Sequence, residues 1–275
     1  MAQNIHVTYL EHSAFAVYTD RTALIFDYAR PTPSRETPVS SERFPGGYVT
    51  SELLKTFERV RVFASHSHSD HYVRDIFKWM GHKGIDYILS YEIDGAPSGY
   101  KLAPGETRVF PDMTITARDS TDLGVSFMID WHGAGDETGQ TTGIKLFHAG
   151  DLNLWHWRDE STLREIEQAE AAFYAAMEPI YGTHVDLAFF PVDPRQGAMY
   201  DAGAVHFIAR VQPSLFFPMH FQGRADVAME FSRRNAERHT TVIPLTKPGE
   251  TVEAAKDASG ILRALYPYTA RTPVN

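Results

Sequence analysis

The stretch Ser65-His66-Ser67-His68-Ser69-Asp70-His71 places three imidazoles and a carboxylate within seven residues. The segment before it, Arg61-Val62-Phe63-Ala64, reads as a buried strand, so the histidines lie on the turn that leaves the strand near Ala64. His66 and His68 are two apart and face the same way in extended backbone. Asp70 and His71 follow where the chain is expected to bend into a helix. This spacing offers two nitrogens to one metal ion, and an oxygen and a nitrogen to a second. With 13 histidines in 275 residues, one pair at this spacing can arise by chance, whereas a four-residue set behind a hydrophobic strand is a far more specific signal. The chain has no cysteine, which excludes thiolate sites, disulfides and cysteine nucleophiles. Imidazole and carboxylate donors suit zinc, iron or manganese.

The pattern His-x-His-x-Asp-His, following a strand near the end of the first quarter of the chain, resembles the signature of the metallo-β-lactamase superfamily. The resemblance runs over about residues 5 to 222. It implies an α+β fold, a four-layer αββα sandwich, holding two divalent metal ions. It also implies hydrolysis of a small ester, lactone or phosphoester. By that resemblance His66 and His68 belong to the first metal, and Asp70 and His71 to the second. The segment His148-Ala149-Gly150-Asp151 ends a strand and matches the place of the family's bridging aspartate, which assigns that role to Asp151. Locally, Gly150 permits a tight exit from the strand and lets the carboxylate project at the sheet edge. Phe216-Phe217-Pro218-Met219-His220 matches the strand that carries the family's last histidine, which makes His220 a ligand of the second metal.

One family ligand has no counterpart. A further histidine usually stands between the first cluster and the bridging aspartate, but residues 117–125, Ala117-Arg118-Asp119-Ser120-Thr121-Asp122-Leu123-Gly124-Val125, contain none. Asp119, Asp122, Ser120, His148 and His132 are the groups in range. Asp122 is favoured, because its loop precedes the strand that starts at Gly124. A carboxylate there makes the first site harder and favours manganese or iron over zinc. Glu11-His12-Ser13 is similar to a Gly-His-Ser/Ala segment of the sugar-phosphate lactonase-like branch, with Glu11 in place of glycine. In that reading His12 supports the metal site or faces substrate; otherwise it is a strand-end histidine bonded to backbone.

The rest of the chain frames these segments. Hydrophobic residues make up 43% and charged residues 22%, enough for one large domain over 1–275 with a sizeable core. Strands are expected at 5–10, 15–18, 23–27, 85–89, 107–110, 113–117, 124–131, 144–149, 187–190, 215–217 and 240–245. Helices are expected at 51–57, 73–80, 161–177, 202–211 and 225–237. Residues 30–48 and the glycine-rich 133–143 read as loops, and 90–105 as a turn-rich link. Both sheets are expected to be antiparallel. Asp27, at a strand end, is placed to bond an imidazole ligand from behind. Residues 250–275, with Ile261, Leu262, Leu265, Tyr266 and Tyr268, cover a sheet edge, form a terminal helix or make the contact of a homo-oligomer.

The net charge of −9 and the lack of a lysine–arginine track argue against a nucleic-acid partner. No run is long and apolar enough to span a bilayer, and no leader pattern opens the chain, so a cytoplasmic protein acting on a small molecule is expected. Arg195 can bind a substrate anion, and Asp193 can orient a ligand imidazole or hold Arg195. Trp155, His156 and Trp157 follow the bridging aspartate and can line a pocket. Asp70 can orient the attacking water besides binding metal. A metal- or ligand-binding protein without turnover is the alternative function.

Overall fold

The computed structural model describes residues 4–30, 43–132, 143–236 and 239–265. The chain opens with β1 (Ile5–Glu11), β2 (Ala14–Tyr18) and β3 (Thr22–Phe26), and every residue of β2 and β3 is buried. Alternation divides them between two environments. Phe15, Val17, Leu24 and Phe26 enter the core between the sheets, while Ala16, Tyr18, Ala23 and Ile25 enter a second core on the other face. A strand covered on both faces carries little polarity, which is why these runs read as continuous hydrophobic stretches.

The first sheet continues with β4 (Arg59–Ala64), β5 (Ile85–Ser90) and β6 (Tyr100–Leu102). On the far side of β1 lie β14 (Thr251–Lys256) and β15 (Leu262–Ala264), giving the order β15-β14-β1-β2-β3-β4-β5-β6. The second sheet is built from β7 (Thr107–Phe110), β8 (Met113–Arg118), β9 (Ser126–Trp131), β10 (Ile144–His148), β11 (Leu187–Pro191), β12 (Leu215–Met219) and β13 (Thr241–Val242). Its order is β13-β12-β11-β10-β9-β8-β7. Phenylalanines interlock the sheets: Phe15 lies 4.7 Å from Phe189, and Phe63 lies 5.4 Å from Phe127 between ring centroids.

Helices close the outer faces. α1 (Ser51–Leu54) and a 3-10 turn at Arg74–Trp79 cover the first sheet with Leu54, Ile76 and Trp79. The cap of α1 is Thr50, whose hydroxyl accepts from the Leu53 amide. α2 (Leu163–Met177), α3 (Ala202–Val211) and α4 (Ala225–Arg234) cover the second sheet. Phe207 stacks on Phe147 and Phe231 packs on Phe216. The result is the expected αββα sandwich. α2 starts from a capping box of Thr162 and Glu165 and buries only its last turn, at Phe173, Ala176 and Met177; Leu163 is left exposed.

Three differences from the sequence reading matter. The sheets are mixed: β3 through β6 run parallel to one another, as do β10 through β13, while β3 is antiparallel to β2 and β10 to β9. Tyr100–Leu102, inside the expected turn-rich link, adds an edge strand to β5. The C-terminal stretch forms a hairpin that pairs with β1, not a helix. Most of the loops at 30–48 and 133–143, and Tyr266 and Tyr268, lie outside the described residues.

The parallel arrangement positions the site. The ends of β3, β4, β10, β11 and β12 emerge at one edge of the sandwich, carrying Asp27, Ser65-His66, Gly150-Asp151, Asp193 and His220. A crevice beyond the carboxyl ends of parallel strands is the usual place for a ligand in such sheets. Away from it, the buried Arg61 on β4 reaches Asp112 in the β7–β8 turn with two hydrogen bonds of 2.8 and 2.7 Å, tying the sheets together.

Candidate metal centre

Two tight turns bring the first segments together. Gly150 has φ +54, and a Cβ there would stand 2.7 Å from the Ser65 side chain. Gly124 has φ +76, and a Cβ there would meet the Ser65 carbonyl at 2.1 Å and His66 at 2.6 Å. Only glycine lets both loops close on the His66 turn. Backbone strain is concentrated here as well. Among the described residues, the non-glycine positions with positive φ are His12, Asp27, Trp157, His220, Gln222 and Gln212, and all but Gln212 lie at this edge.

Behind the donors stand two buried carboxylates. Asp27 accepts from the Ser65 amide at 2.8 Å, the Ser65 hydroxyl at 2.6 Å and His71 Nδ1 at 2.8 Å. The Ser65 hydroxyl in turn meets His66 Nδ1 at 2.9 Å. Asp193 accepts from His220 Nδ1 at 2.8 Å and from the Arg195 guanidinium and amide. His71 and His220 therefore spend Nδ1–H on a carboxylate and turn Nε2 the other way, while His66 spends Nδ1 on Ser65. His71 Nε2 lies 3.1 Å and His220 Nε2 3.4 Å from Asp151 Oδ1, and His66 Nε2 lies 3.5 Å from Asp151 Oδ2.

His12 joins from the β1–β2 turn. Its amide donates to the Tyr9 hydroxyl at 2.8 Å, its Nε2 lies 3.3 Å from Asp70 Oδ2, and its ring is 4.1 Å from that of His220. His68 and Asp122 form the outer part. His68 Nδ1 is 3.1 Å from His66 Nε2 and 3.9 Å from Asp122 Oδ2, and both side chains are about half exposed. Thr121 bridges the Asp122 loop to the turn after Asp151, since its hydroxyl accepts from the Asn153 amide at 2.9 Å and donates to the Asn153 carbonyl.

All seven residues of the sequence-derived metal set therefore converge. Together with His12, their donor atoms fall into three overlapping groups: His12, Asp70, His71 and His220; His66, His71 and Asp151; and His68, Asp122 and Asp151. Of the alternatives to Asp122, Asp119 only offers its carbonyl to Ser126, and Ser120 accepts from the Asp122 amide. His148 points inward between the sheets, stacked 5.0 Å from Phe26, with Nε2 on the Ser13 carbonyl and Nδ1 accepting from Gly150. His132 follows the last residue of β9 and is in none of the donor groups. His156 turns to Glu170 at 2.8 Å, away from the cluster, whereas Trp155 and Trp157 do face it. Sequence reasoning missed Tyr9, Ser65 and Thr121; only Thr121, in a Ser-Thr-Asp run typical of a side-chain-closed turn, carried a local signal.

The donor set fits a cation. His12 Nε2, His71 Nε2, Asp151 Oδ1 and His220 Nε2 are buried and make no well-aligned hydrogen bond, although each has an oppositely charged or ionisable group of the cluster within 3.4 Å. Buried polar atoms are ordinarily paired, and four without an aligned hydrogen bond sharing one space match the needs of a metal ion. The electrostatics agree. Burial opposes charge on His71, but Asp151 and Asp27 hold its pKa up at about 10. Burial and the neighbouring His71 push His66 down to about 4. Asp151 is buried yet held far below the carboxylate range by His71 and His220. Asp70 is held low by its contact with His12. Burial and the Asp151 charge raise Asp122, marking an excess of negative charge at the outer part.

Two cavities flank the cluster and share Asp70. One, of about 430 Å³, is lined by His68, Asp122, Trp155, Trp157, Arg195 and His220 among others. The other, of about 530 Å³, is lined by Tyr9, Glu11, His12, Arg30 and Gln222 among others.

No family model matches the chain. A metal-dependent hydrolase of the UPF0173 group from Opitutus terrae is 28% identical over 266 residues, covering 90% of this chain and all of that protein. Igni18, a metallo hydrolase from the archaeon Ignicoccus hospitalis, superposes with a TM-score of 0.60 at 21% identity, over 91% of this chain and 98% of that one. The metallo-β-lactamase fold protein YhfI from Bacillus subtilis superposes with a TM-score of 0.52 at 13% identity, over 91% and 99%. The sandwich is thus of the metallo-β-lactamase type.

Proposed function

We propose that the chain is a metal-dependent hydrolase of a small ester, lactone or phosphoester. The observation that carries this reading is the convergence of four buried donor atoms without a well-aligned hydrogen bond, two of them on imidazoles fixed from behind by Asp27 and Asp193. Asp70, His71, Asp151 and His220, with His12 beside them, would hold one divalent ion. His66, His68, Asp122 and Asp151 would hold a second. Such ions, zinc or the harder manganese or iron, lower the pKa of a water, polarise the electrophile and stabilise the developing anion.

The chain's own groups do the rest. Asp70 is half exposed and borders both cavities, where it orients the attacking water and passes a proton to or from His12 Nε2. Asp27 and Asp193 fix the tautomers of His71 and His220. Arg195, anchored by Asp193, faces the cavity and meets an anionic part of the substrate. The likeness to the Opitutus terrae protein and the Glu11-His12-Ser13 segment support the hydrolase reading, with lactones the first substrates to try. Among the described residues no helix is long and apolar enough to cross a membrane, which accords with a small substrate in water.

The test is metal analysis of protein purified without added metal, alongside hydrolysis of lactones, esters and phosphodiesters with and without chelator. We expect bound metal and chelator-sensitive turnover of one class. A folded chain that binds no divalent metal would overturn the reading. Metal bound firmly without turnover on any class would favour a metal- or ligand-binding protein.

A further inference from the structure

The cavity beside Asp122 has a second chemistry that metal ligation does not use. Trp155 and Trp157 lie with rings parallel, 5.6 Å apart at 5°. Trp155 is locked by its Nε1–H, which donates to the Asp151 carbonyl at 2.8 Å, and its ring stands edge-on to His220 at 5.7 Å. Trp157 has φ +40, a strained conformation for a bulky residue, and remains partly exposed. Strain at a partly exposed aromatic has no return in core packing, so it points to a surface kept for a ligand. Arg195 sits over Trp157 at 5.5 Å. Its Nε and Nη2 bond Asp193, which leaves Nη1 and the second N–H of Nη2 without a hydrogen bond among the described residues, on a side chain that lines the cavity. That free edge is a fork suited to a carboxylate, and the indole faces suit a flat ring.

Resting on the hydrolase reading for the neighbouring cluster, we infer that this cavity recognises a planar aromatic ring bearing a carboxylate, which makes aromatic acids and their derivatives the substrate class. The ring lies against Trp155 and Trp157, and the carboxylate takes the free edge of Arg195. The cavity of Glu11 and Arg30, on the other side of Asp70, receives the remainder of the molecule.

Tryptophan fluorescence reads this directly. The chain has four tryptophans, and Trp79 and Trp131 are buried, so quenching by a bound ligand reports on Trp155 and Trp157. The probes are 2-naphthoate, 2-naphthalenemethanol, which lacks the charge, and cyclohexanecarboxylate, which lacks the flat ring. Saturable quenching by naphthoate is expected, with each of the others binding about tenfold or more weakly, the loss of one charge-assisted contact or one stacking surface. Arg195→Lys retains the charge beside Asp193 but not the fork, so the chain should fold while naphthoate affinity falls about tenfold and the alcohol is unaffected. Trp157→Leu should weaken both naphthyl ligands. Naphthoate binding no tighter than cyclohexanecarboxylate, or unmoved by Arg195→Lys, overturns the inference. Repeating the titration after chelation separates the two readings. Binding lost with the metal but indifferent to Arg195→Lys puts the carboxylate on the ions, which overturns this inference and leaves the hydrolase reading standing. Arg195-dependent binding in a chain that takes up no metal does the reverse.

Discussion

The inner and outer parts of the cluster are built differently. On the inner side, His71 and His220 are buried and each has a carboxylate behind it. On the outer side, His68 and Asp122 are half exposed and 3.9 Å apart, and no carboxylate stands behind the His68 ring, which meets the His66 imidazole instead. Pre-organisation lowers the cost of assembling a site, so the inner part should hold an ion tightly and survive truncation poorly. The outer part should exchange its ion and tolerate change. The contrast also places Asp122 on the adjustable side, where a change of side chain disturbs the least structure.

The strongest way to break this contrast is at Asp27. Asp27→Ala removes one acceptor and strands three buried donors, so unfolding experiments should show a loss of about 3–5 kcal/mol. Metal titration of whatever folds should show affinity down by about 10–100-fold. Little change in either would mean that His71 is not held from behind. A carboxylate far from the cluster sharpens the comparison. Asp112→Ala leaves Arg61 buried without its bidentate partner, and denaturation should register a loss of about 3 kcal/mol with metal content unchanged. Although burial opposes it, Arg61 lowers the Asp112 pKa, so this stabilisation is full above the unfolded carboxylate's pKa and is lost as pH falls through the lower folded value. Acid unfolding of Asp112→Ala should therefore be less steep than that of the parent chain.

At Asp193, the expected effect shifts from stability to binding. Asp193→Asn keeps the shape but frees the His220 tautomer, and isothermal titration should find affinity for the inner ion reduced by about tenfold or more. The smallest structural effect belongs to Asp122→Ala. Its side chain is half exposed, so melting should shift by no more than about 0.5 kcal/mol, while bound metal falls from two equivalents toward one. If Asp122→Ala instead cost as much as Asp27→Ala, the division into inner and outer parts would be wrong.

How much of this was legible in the sequence follows the range of the interactions. The His66–His71 run, Asp151 and His220 each stand just past a hydrophobic strand, a local signal that needs only pattern. Asp27 as a group behind an imidazole, and Asp193 as a partner of either a ligand or Arg195, were also readable from strand ends; the structure gives Asp193 both contacts. Strand direction was not readable, because a run such as Leu187–Pro191, buried on both faces, reads the same whichever way its neighbours point. Nor was the fate of His148, where one step of alternation separates the cavity from the space beside Phe26. Trp79 was missed as a buried residue because the 3-10 turn at Arg74–Trp79 has a different period from the helix expected there.

The hairpin that pairs with β1 has a consequence for how the molecule comes into being. Ile5 faces Ala254 across the sheet, and Tyr9 exchanges backbone hydrogen bonds with Gly249 and Glu250. A ribosome that has already delivered every residue of the donor cluster from His12 to His220 has not yet delivered the strand beside them. Until then the flank of β1 is an open template, and the wall formed by Thr246 and Pro248 next to His12 is missing. Pairing between such distant parts of a chain is slow to form. The nascent protein can thus gather its donor cluster before it can finish the chamber beside it, and an ion captured early would meet a half-built site.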